Sequence, residues 1–332
     1  MSLVKTLLAT TAMAAAMMAV AMPAQAQTRI ALVAKSLGNG FFEAAARGAE
    51  EAAEEIGDVE IIYTGPTSTT AEGQIEVINT LIAQNVDAIA ISANDPDAVV
   101  PALQRAMERG ITVISWDSGV APEGRQMHLN PSSNELIGRM NLQLVEAHMP
   151  EGESDFAILS ATTTSTNQNI WIEEMEAQMG DFPGLNLVTT VYGDDLADKS
   201  YREAQGILQS MPNVKVIVAP TTVGILAASR AVEDAGMIGQ VHVTGLGLPS
   251  EMAGAIESGA TTEFAIWNPV DLGYSAAYIA NELASGNATA EPGSTISIGR
   301  VGEITLDDNL EAGMSEPFIY DASNIDEFKD IF

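Results

Sequence analysis

The sequence predicts an α/β protein of two lobes, each a doubly wound parallel sheet, and three observations predict it. Short apolar runs alternate with single helices along most of the chain, the pattern of parallel strands covered on both faces. The alternation is interrupted by the polar stretch His128-Leu129-Asn130-Pro131 and then restarts. Residues 27–332 also exceed the length at which one core usually stops growing, so two lobes of ordinary domain size are expected.

The elements follow in order. Ile30–Val33 reads as a strand, and Phe42, Ala45, Ala49, Ala52 and Ile56 at three-four spacing make the next helix, ended by Gly57. Val59–Tyr63 precedes a helix that Thr69 and Glu72 open as a capping box, with its apolar stripe on Ile75, Ile78 and Ile82. Strand Ala88–Ser92, a helix over about 97–109 closed by Gly110, and strand Ile111–Trp116 complete the first series. After the connector come helix Glu135–His148, strand Phe156–Ser160, helix Gln168–Met179, strand Leu187–Tyr192 and helix Lys199–Gln209. Strand Val214–Ala219, helix Val223–Asp234 and strand Val241–Gly245 extend the second series, then Phe264–Trp267 and helix Leu272–Leu283. Periodicity is weaker from Gly286 to Phe332, and no repeat or low-complexity tract is evident.

Residues 1–26 read as an export leader. Lys5 supplies the positive region, Leu7–Met22 is apolar, and Ala24-Gln25-Ala26 has the small-x-small form of a cleavage site. The apolar stretch is too short and too poorly flanked for a membrane span, and no later segment supplies the roughly 18 consecutive apolar residues one needs. A periplasmic location is therefore expected. The absence of cysteine excludes disulfides, zinc-thiolate sites, cysteine nucleophiles and a lipidated cysteine anchor, so no direct membrane anchor is expected.

With 14 basic against 45 acidic residues, a formal charge of −31, the chain is repelled by nucleic acid and anionic lipid. No nucleic-acid partner is expected. Gly38-Asn39-Gly40 and Gly245-Leu246-Gly247 fall short of a dinucleotide fingerprint, because the third glycine position is occupied by Glu43 and Ser250. No Walker lysine and no G-x-S-x-G occur. His128, His148 and His242 lie singly, without a companion at metal-ligand spacing, and read as structural. Asp194-Asp195 and Asp307-Asp308 read as solvated turns. No metal, no cofactor and no catalysis are expected.

What remains lies at the carboxyl ends of strands, where open α/β sheets place ligands. Lys35, Phe41 and Phe42 follow the first strand, Asn94 and Asp95 the third, and Trp116 and Asp117 the last strand before the connector. The second series carries Asn167, Gln168 and Trp171, then Pro220, Thr221 and Thr222, then Leu246, with Trp267 and Asn268 where the chain returns. Aromatic rings stack on the C–H faces of sugars, and Asp, Asn, Gln, Thr and Lys match hydroxyls that donate and accept. Phe41 and Phe42 diverge by about 100° on a helix, so Phe42 fits the core stripe and Phe41 is left for a ligand. Trp116, ending a buried strand, reads as core; Asp117 beyond it is poorly explained by packing. The candidate ligand-binding set is Lys35, Phe41, Phe42, Asp95, Asp117, Asn167, Gln168, Trp171, Pro220, Thr222, Leu246, Trp267 and Asn268.

The stretches ALVAKSLGNGFF, YTGPTSTTAEGQ, ISANDPDA, ISWDSGVAPEGRQMHLNPSS, STNQNIW, VTTVYGDD, VIVAPTTVG, VTGLGLPSEM and EFAIWNPVDLGYSA together resemble the type I periplasmic sugar-binding proteins of ABC importers. The likeness is greatest to the rhamnose-binding branch, with the autoinducer-2 binders as cousins. The resemblance implies three hinge crossings between an N-terminal lobe (27–130 plus about 268–292) and a C-terminal lobe (131–267 plus about 293–332). It implies ligand contacts at Lys35, Phe41, Asp117, Asn167, Gln168, Pro220 and Thr222, with Trp171 and Trp267 as ring platforms. The autoinducer-2 binders carry an Asp-Gln pair and a Pro-Asp-Ala loop where this chain has Asn167-Gln168 and Pro220-Thr221-Thr222, which favours a deoxy sugar, its C6 methyl against the aromatic wall. The implied function is a monomeric, non-catalytic importer subunit that hands a small neutral sugar to ABC permease subunits. Autoinducer-2 binding for import or chemosensing is the alternative; an exported sugar epimerase or lyase lacks the paired histidines or metal cluster it would need.

Overall fold

The structure, a computed structural model, describes residues 27–149 and 154–332; the expected leader lies outside them. The chain opens with β1 (Thr28–Val33), α1 (Gly40–Ile56), β2 (Val59–Thr64), α2 (Ala71–Gln84), β3 (Ala88–Ile91), α3 (Val100–Met107), β4 (Thr112–Trp116) and β5 (His128–Asn130). The second series is α4 (Asn134–Ala147), β6 (Ser154–Ser160), α5 (Thr166–Gln178), β7 (Leu185–Tyr192), α6 (Ala197–Ser210), β8 (Val214–Ala219), α7 (Thr222–Asp234), β9 (His242–Gly245), α8 (Pro249–Ser258) and β10 (Glu263–Ile266). Then come α9 (Pro269–Ala284), β11 (Thr295–Ser297), β12 (Glu303–Thr305), β13 (Glu311–Gly313), β14 (Phe318–Asp321) and α10 (Ile325–Phe328).

The first sheet runs β13-β5-β4-β3-β1-β2, parallel throughout. Its central strands β1 and β3 are nearly continuous apolar runs because both faces are covered. Ile30, Leu32, Ala88 and Ala90 face the core under α1 and α9, and the alternate residues Ala31, Val33, Ile89 and Ile91 face the core under α2 and α3. Helices α1 and α9 meet almost backbone to backbone. A Cβ on Gly48 would fall on the Val270 carbonyl and one on Gly273 on the Ala45 carbonyl, so only glycine allows this approach, and the alanine stripe of α1 lies buried along it.

The second sheet runs β7-β6-β8-β9, also parallel. Isolated bridges carry it from β9 to the β10 region, and β14 adds antiparallel to β10. The expected two doubly wound lobes with three crossings are present, but the third crossing is displaced. The crossings lie between β5 and α4, between β10 and α9, and between β13 and β14, not near 292. The tail before it belongs to the first lobe: β13 pairs with β5, and Ile296, Ile298 and Ile304 of the β11–β12 hairpin region join the core under α9. Three-residue strands carry too little alternation for sequence reading to place them.

Other expectations shift locally. The cap of α2 is Thr70, accepting from Gly73 N, and Thr69 Oγ1 instead donates to Asp194 O of the other lobe at 2.7 Å. Helix α3 starts at Val100, not near 97, because Asp95 Oδ1 takes the Asp97 and Ala98 N–H groups in a turn before it. Helix α8 was not foreseen. The histidines do not all lie singly: 94 positions apart in sequence, His148 and His242 bring their rings to 5.1 Å. Among the described residues no group of three or more His, Cys, Asp or Glu is placed to hold a metal, and no helix is long and apolar enough to cross a membrane.

Candidate functional site

The carboxyl ends of the strands in both sheets face each other across a cavity of about 380 Å³. Its lining is Lys35, Asn39, Phe41, Phe42, Asp117, Asn167, Gln168, Trp171, Asp195, Pro220, Thr221, Thr222, Leu246, Ile266 and Trp267.

On the first-lobe side, buried amides fix the strand ends. Gln74, fully buried, donates from Nε2 to Ala34 O at 3.0 Å and Ser92 O at 2.7 Å, and its Oε1 accepts from Asn94 N at 2.8 Å. Asn94 Nδ2 in turn donates to Lys35 O at 2.8 Å. Each bond satisfies a backbone group that leaves the sheet ladder, so the chain after β1 and β3 has one conformation. It delivers Lys35, 3 % exposed, into the cleft. Asp117, 4 % exposed, follows β4 in the left-handed region at φ 58°, a conformation Asp tolerates better than most residues. Ser92 Oγ donates to its Oδ2 at 2.7 Å.

A hydrogen-bonded chain crosses to the second lobe. Lys35 Nζ donates to Asn167 Oδ1 at 3.0 Å and to Ser165 Oγ at 2.7 Å, and Asn167 Nδ2 donates to Asp117 Oδ1 at 2.9 Å. Ser165 stands at the N-terminal end of α5, its hydroxyl donating to Asn167 Oδ1 at 3.2 Å, so Asn167 and Gln168 lie in the first turn. Gln168 Oε1 accepts from Ala161 N at 2.8 Å and Ser160 Oγ at 3.1 Å, which sets its amide orientation. Thr221 caps α7 and leads Thr222 to the cavity. Further bonds between the lobes run from Thr164 Oγ1 to Asn94 O at 2.8 Å and from Thr166 Oγ1 to Gly119 O at 3.0 Å.

The same cavity is lined by a set of rings in edge contact: Phe41 on Phe42 at 5.3 Å, Phe41 on Trp267 at 6.2 Å and Trp171 on Trp267 at 5.5 Å. Trp171 Nε1 is satisfied by Asn134 Oδ1 at 2.9 Å, whereas Trp267 Nε1 is buried with no partner among the described residues. Burial raises the pKa of Asp117 above the usual carboxylate range, against the pull of Lys35 and the Ser92 hydrogen bond. Burial raises Asp195 likewise, with Lys35 and the Thr221 hydroxyl opposing. The cavity thus joins one cation, two carboxylates, fixed amides and flat apolar rings.

The structure brings Lys35, Phe41, Phe42, Asp117, Asn167, Gln168, Trp171, Pro220, Thr222, Leu246 and Trp267 to this one cavity. Two candidates lie elsewhere in role: Asp95 closes the turn before α3, and Asn268 caps α9 by accepting from Val270 N and Asp271 N. Phe42 reaches both places, lining the cavity and meeting Trp116 edge-on at 5.8 Å in the core. Sequence reading missed Asn39, Asp195 and Ile266 as lining residues, and named Thr221 at its strand end without carrying it into the candidate set. Asn39 and Thr221 carried the signal of N-cap residues after a strand; Asp195 was read as a solvated turn because adjacent acids in an acidic chain carry no marker of burial.

Comparison with known proteins agrees in family. Residues 30–288 match the model of the periplasmic binding protein domain. A solute-binding protein of an ABC transporter from Clostridium phytofermentas, solved with bound L-rhamnose, is 36% identical and superposes with a TM-score of 0.88 over 92% of this chain and 99% of that one. The D-ribose/D-allose-binding protein of Pseudomonas aeruginosa is 29% identical over 65% of this chain and 70% of its own length. LsrB of Clostridium saccharobutylicum in complex with AI-2 shares the fold, at TM-score 0.84 and 24% identity over 90% of this chain and 99% of that one.

Proposed function

The chain belongs to the periplasmic binding protein family, and on that premise we propose that it captures L-rhamnose or a related deoxy sugar for an ABC importer. In this reading the sugar lies between the ring wall and the Lys35–Asn167–Asp117 chain and reaches the membrane permease in the closed form. The relatives of this chain are binding proteins, and the cleft is read accordingly: it holds a guest and leaves its bonds unchanged.

One observation carries the proposal. The polar chain and the ring wall line one cavity whose hydrogen-bonding groups come from both lobes. A sugar seated there replaces direct bonds between the lobes with bonds through itself. It stabilises closure by the difference between its affinity for the closed and open states. The apolar C–H face and methyl of a deoxyhexose suit Phe41, Trp171 and Trp267, and its hydroxyls suit Asp117, Asn167, Gln168 and Lys35. Identity and coverage to the rhamnose-bound protein support the choice of sugar. The neutral Asn167, where an acid stands in the autoinducer-2 pattern, disfavours that ligand. The protein is read as an exported monomer.

Calorimetry of residues 27–332 against pentoses, hexoses, deoxyhexoses and autoinducer-2 tests this directly. The reading expects the tightest binding with L-rhamnose or another deoxyhexose. A tight response to autoinducer-2 with none to rhamnose would overturn the ligand; no response to any sugar would overturn the function.

A further inference from the structure

We propose that Asp195 is a specificity-determining residue that makes the cleft accept neutral sugars and reject their acids; this rests on the sugar-binding reading. Two features single it out. It lines the cavity from the second lobe although it follows β7, an edge strand, in a turn that reads from the residues alone as solvated. Asp194 and Asp195 are consecutive non-glycine residues in the left-handed region, at φ 56° and 52°. Such a pair persists only where the surroundings hold it.

The surroundings do hold it. Asp194 N donates to Ala161 O at 2.9 Å, Lys199 Nζ donates to Asp194 Oδ2 at 2.6 Å, and Thr69 of the other lobe donates to Asp194 O. Asp194 is therefore committed to the turn. Asp195 is free for the cleft: Thr221 Oγ1 donates to its Oδ1, and its Oδ2 accepts no hydrogen bond among the described residues. That oxygen is an open acceptor on a residue that lines the cavity together with Lys35 and Asp117.

The charge count then decides the class of guest. Lys35 is the single cation among the lining residues and stands against two carboxylates, Asp117 and Asp195. Its ammonium is already engaged with Asn167 and Ser165. A sugar hydroxyl donates to Asp195 at no electrostatic penalty, whereas a guest carboxylate would be brought beside two carboxyl groups in a partly buried cavity, where like charges repel more than in water. Asp195 is what tips this balance, since Lys35 alone would offset Asp117.

The test compares L-rhamnose with L-mannuronate, which carries a carboxylate at C6 where rhamnose has a methyl, on wild type, Asp195→Asn, Asp195→Ala and Asp194→Asn. Wild type is expected to bind rhamnose at least 100-fold more tightly than the acid. Asp195→Asn should narrow that ratio tenfold or more, and Asp195→Ala should weaken rhamnose about tenfold, with Asp194→Asn leaving the ratio unchanged. Thermal melts of the same samples report folding. An unaltered ratio in Asp195→Asn, or an equal change in Asp194→Asn, overturns the inference while leaving sugar binding intact. Failure of wild type to bind any neutral sugar overturns both.

Discussion

The two lobes build their halves of the cleft differently. The first lobe presents Lys35 and Asp117 directly from strand ends, locked from behind by Gln74, Ser92 and Asn94. The second presents Asn167, Gln168 and Thr222 from the first turns of α5 and α7, and Asp195 from a strained turn. One half is rigid through buried amides that span neighbouring strands; the other depends on caps and a loop conformation. The difference predicts where each half breaks. Loss of a polar group held at a first-lobe strand end should cost most of the binding, and damage to the second lobe should retune it.

The largest effect is expected from Asp117→Ala. It leaves Ser92, Asn167 and the guest hydroxyls without a buried acceptor, at a cost on the order of 2–5 kcal/mol of sugar binding. Titration calorimetry would read a loss of thirtyfold or more; affinity within twofold of wild type would remove Asp117 from the site.

The next prediction separates the lobes by pH. His128 of the first lobe is buried between Ser115 Oγ at 2.9 Å and Asn130 Oδ1 at 3.1 Å. Burial, and after it the charge of Arg125, push its pKa down from 6.5 to about 4. The folded state therefore binds this proton less well than the unfolded chain. The stability from neutral His128 is complete above pH 6.5 and is lost as pH falls toward 4, on the order of 3 kcal/mol in all. In the second lobe His242 shifts in the same direction, by burial and then by His148, but it stands half-exposed at a strand start. Acid melts should show His128→Gln flattening the pH dependence more than His242→Gln. The reverse order would contradict the assignment.

A smaller effect is expected from Phe41→Ala, which removes one ring and its edge contact with Trp267. About 1–2 kcal/mol of binding should be lost, with the melting temperature moving little because Phe42 and Trp116 still fill the core beneath. Equal losses of binding and stability would mark Phe41 as a core residue. The smallest effect is reserved for Gly40→Ala. A Cβ there would fall on the Glu251 carboxylate of the other lobe and lie 3.1 Å from Leu248 Cδ1, and because the carboxylate can swing away, closure should weaken by less than about 1 kcal/mol. An affinity loss above tenfold would mean that Glu251 is fixed.

The same contrast explains what the sequence disclosed. Lys35 and Asp117 were legible because they stand within two positions of a buried parallel strand, where polar side chains have few other uses. The Asn167-Gln168 pair was legible from its helix start. Asp195 was not, since its place in the cleft depends on the Thr69 bond to its neighbour Asp194 and on its own bond from Thr221, which no local pattern encodes. Asp95 and Asn268 misled for the opposite reason: beside strand ends, a capping residue and a ligand-facing residue have the same composition. The lobes and their strands were readable from apolar runs, yet β13 returning to β5 was hidden in three residues.

Small-angle scattering of residues 27–332, titrated with L-rhamnose, tests the central claim most directly. A cleft that clamps a neutral sugar predicts a fall in the radius of gyration that saturates with sugar and is absent in Asp117→Ala. An unchanged radius at saturating rhamnose and with every other neutral sugar would contradict it.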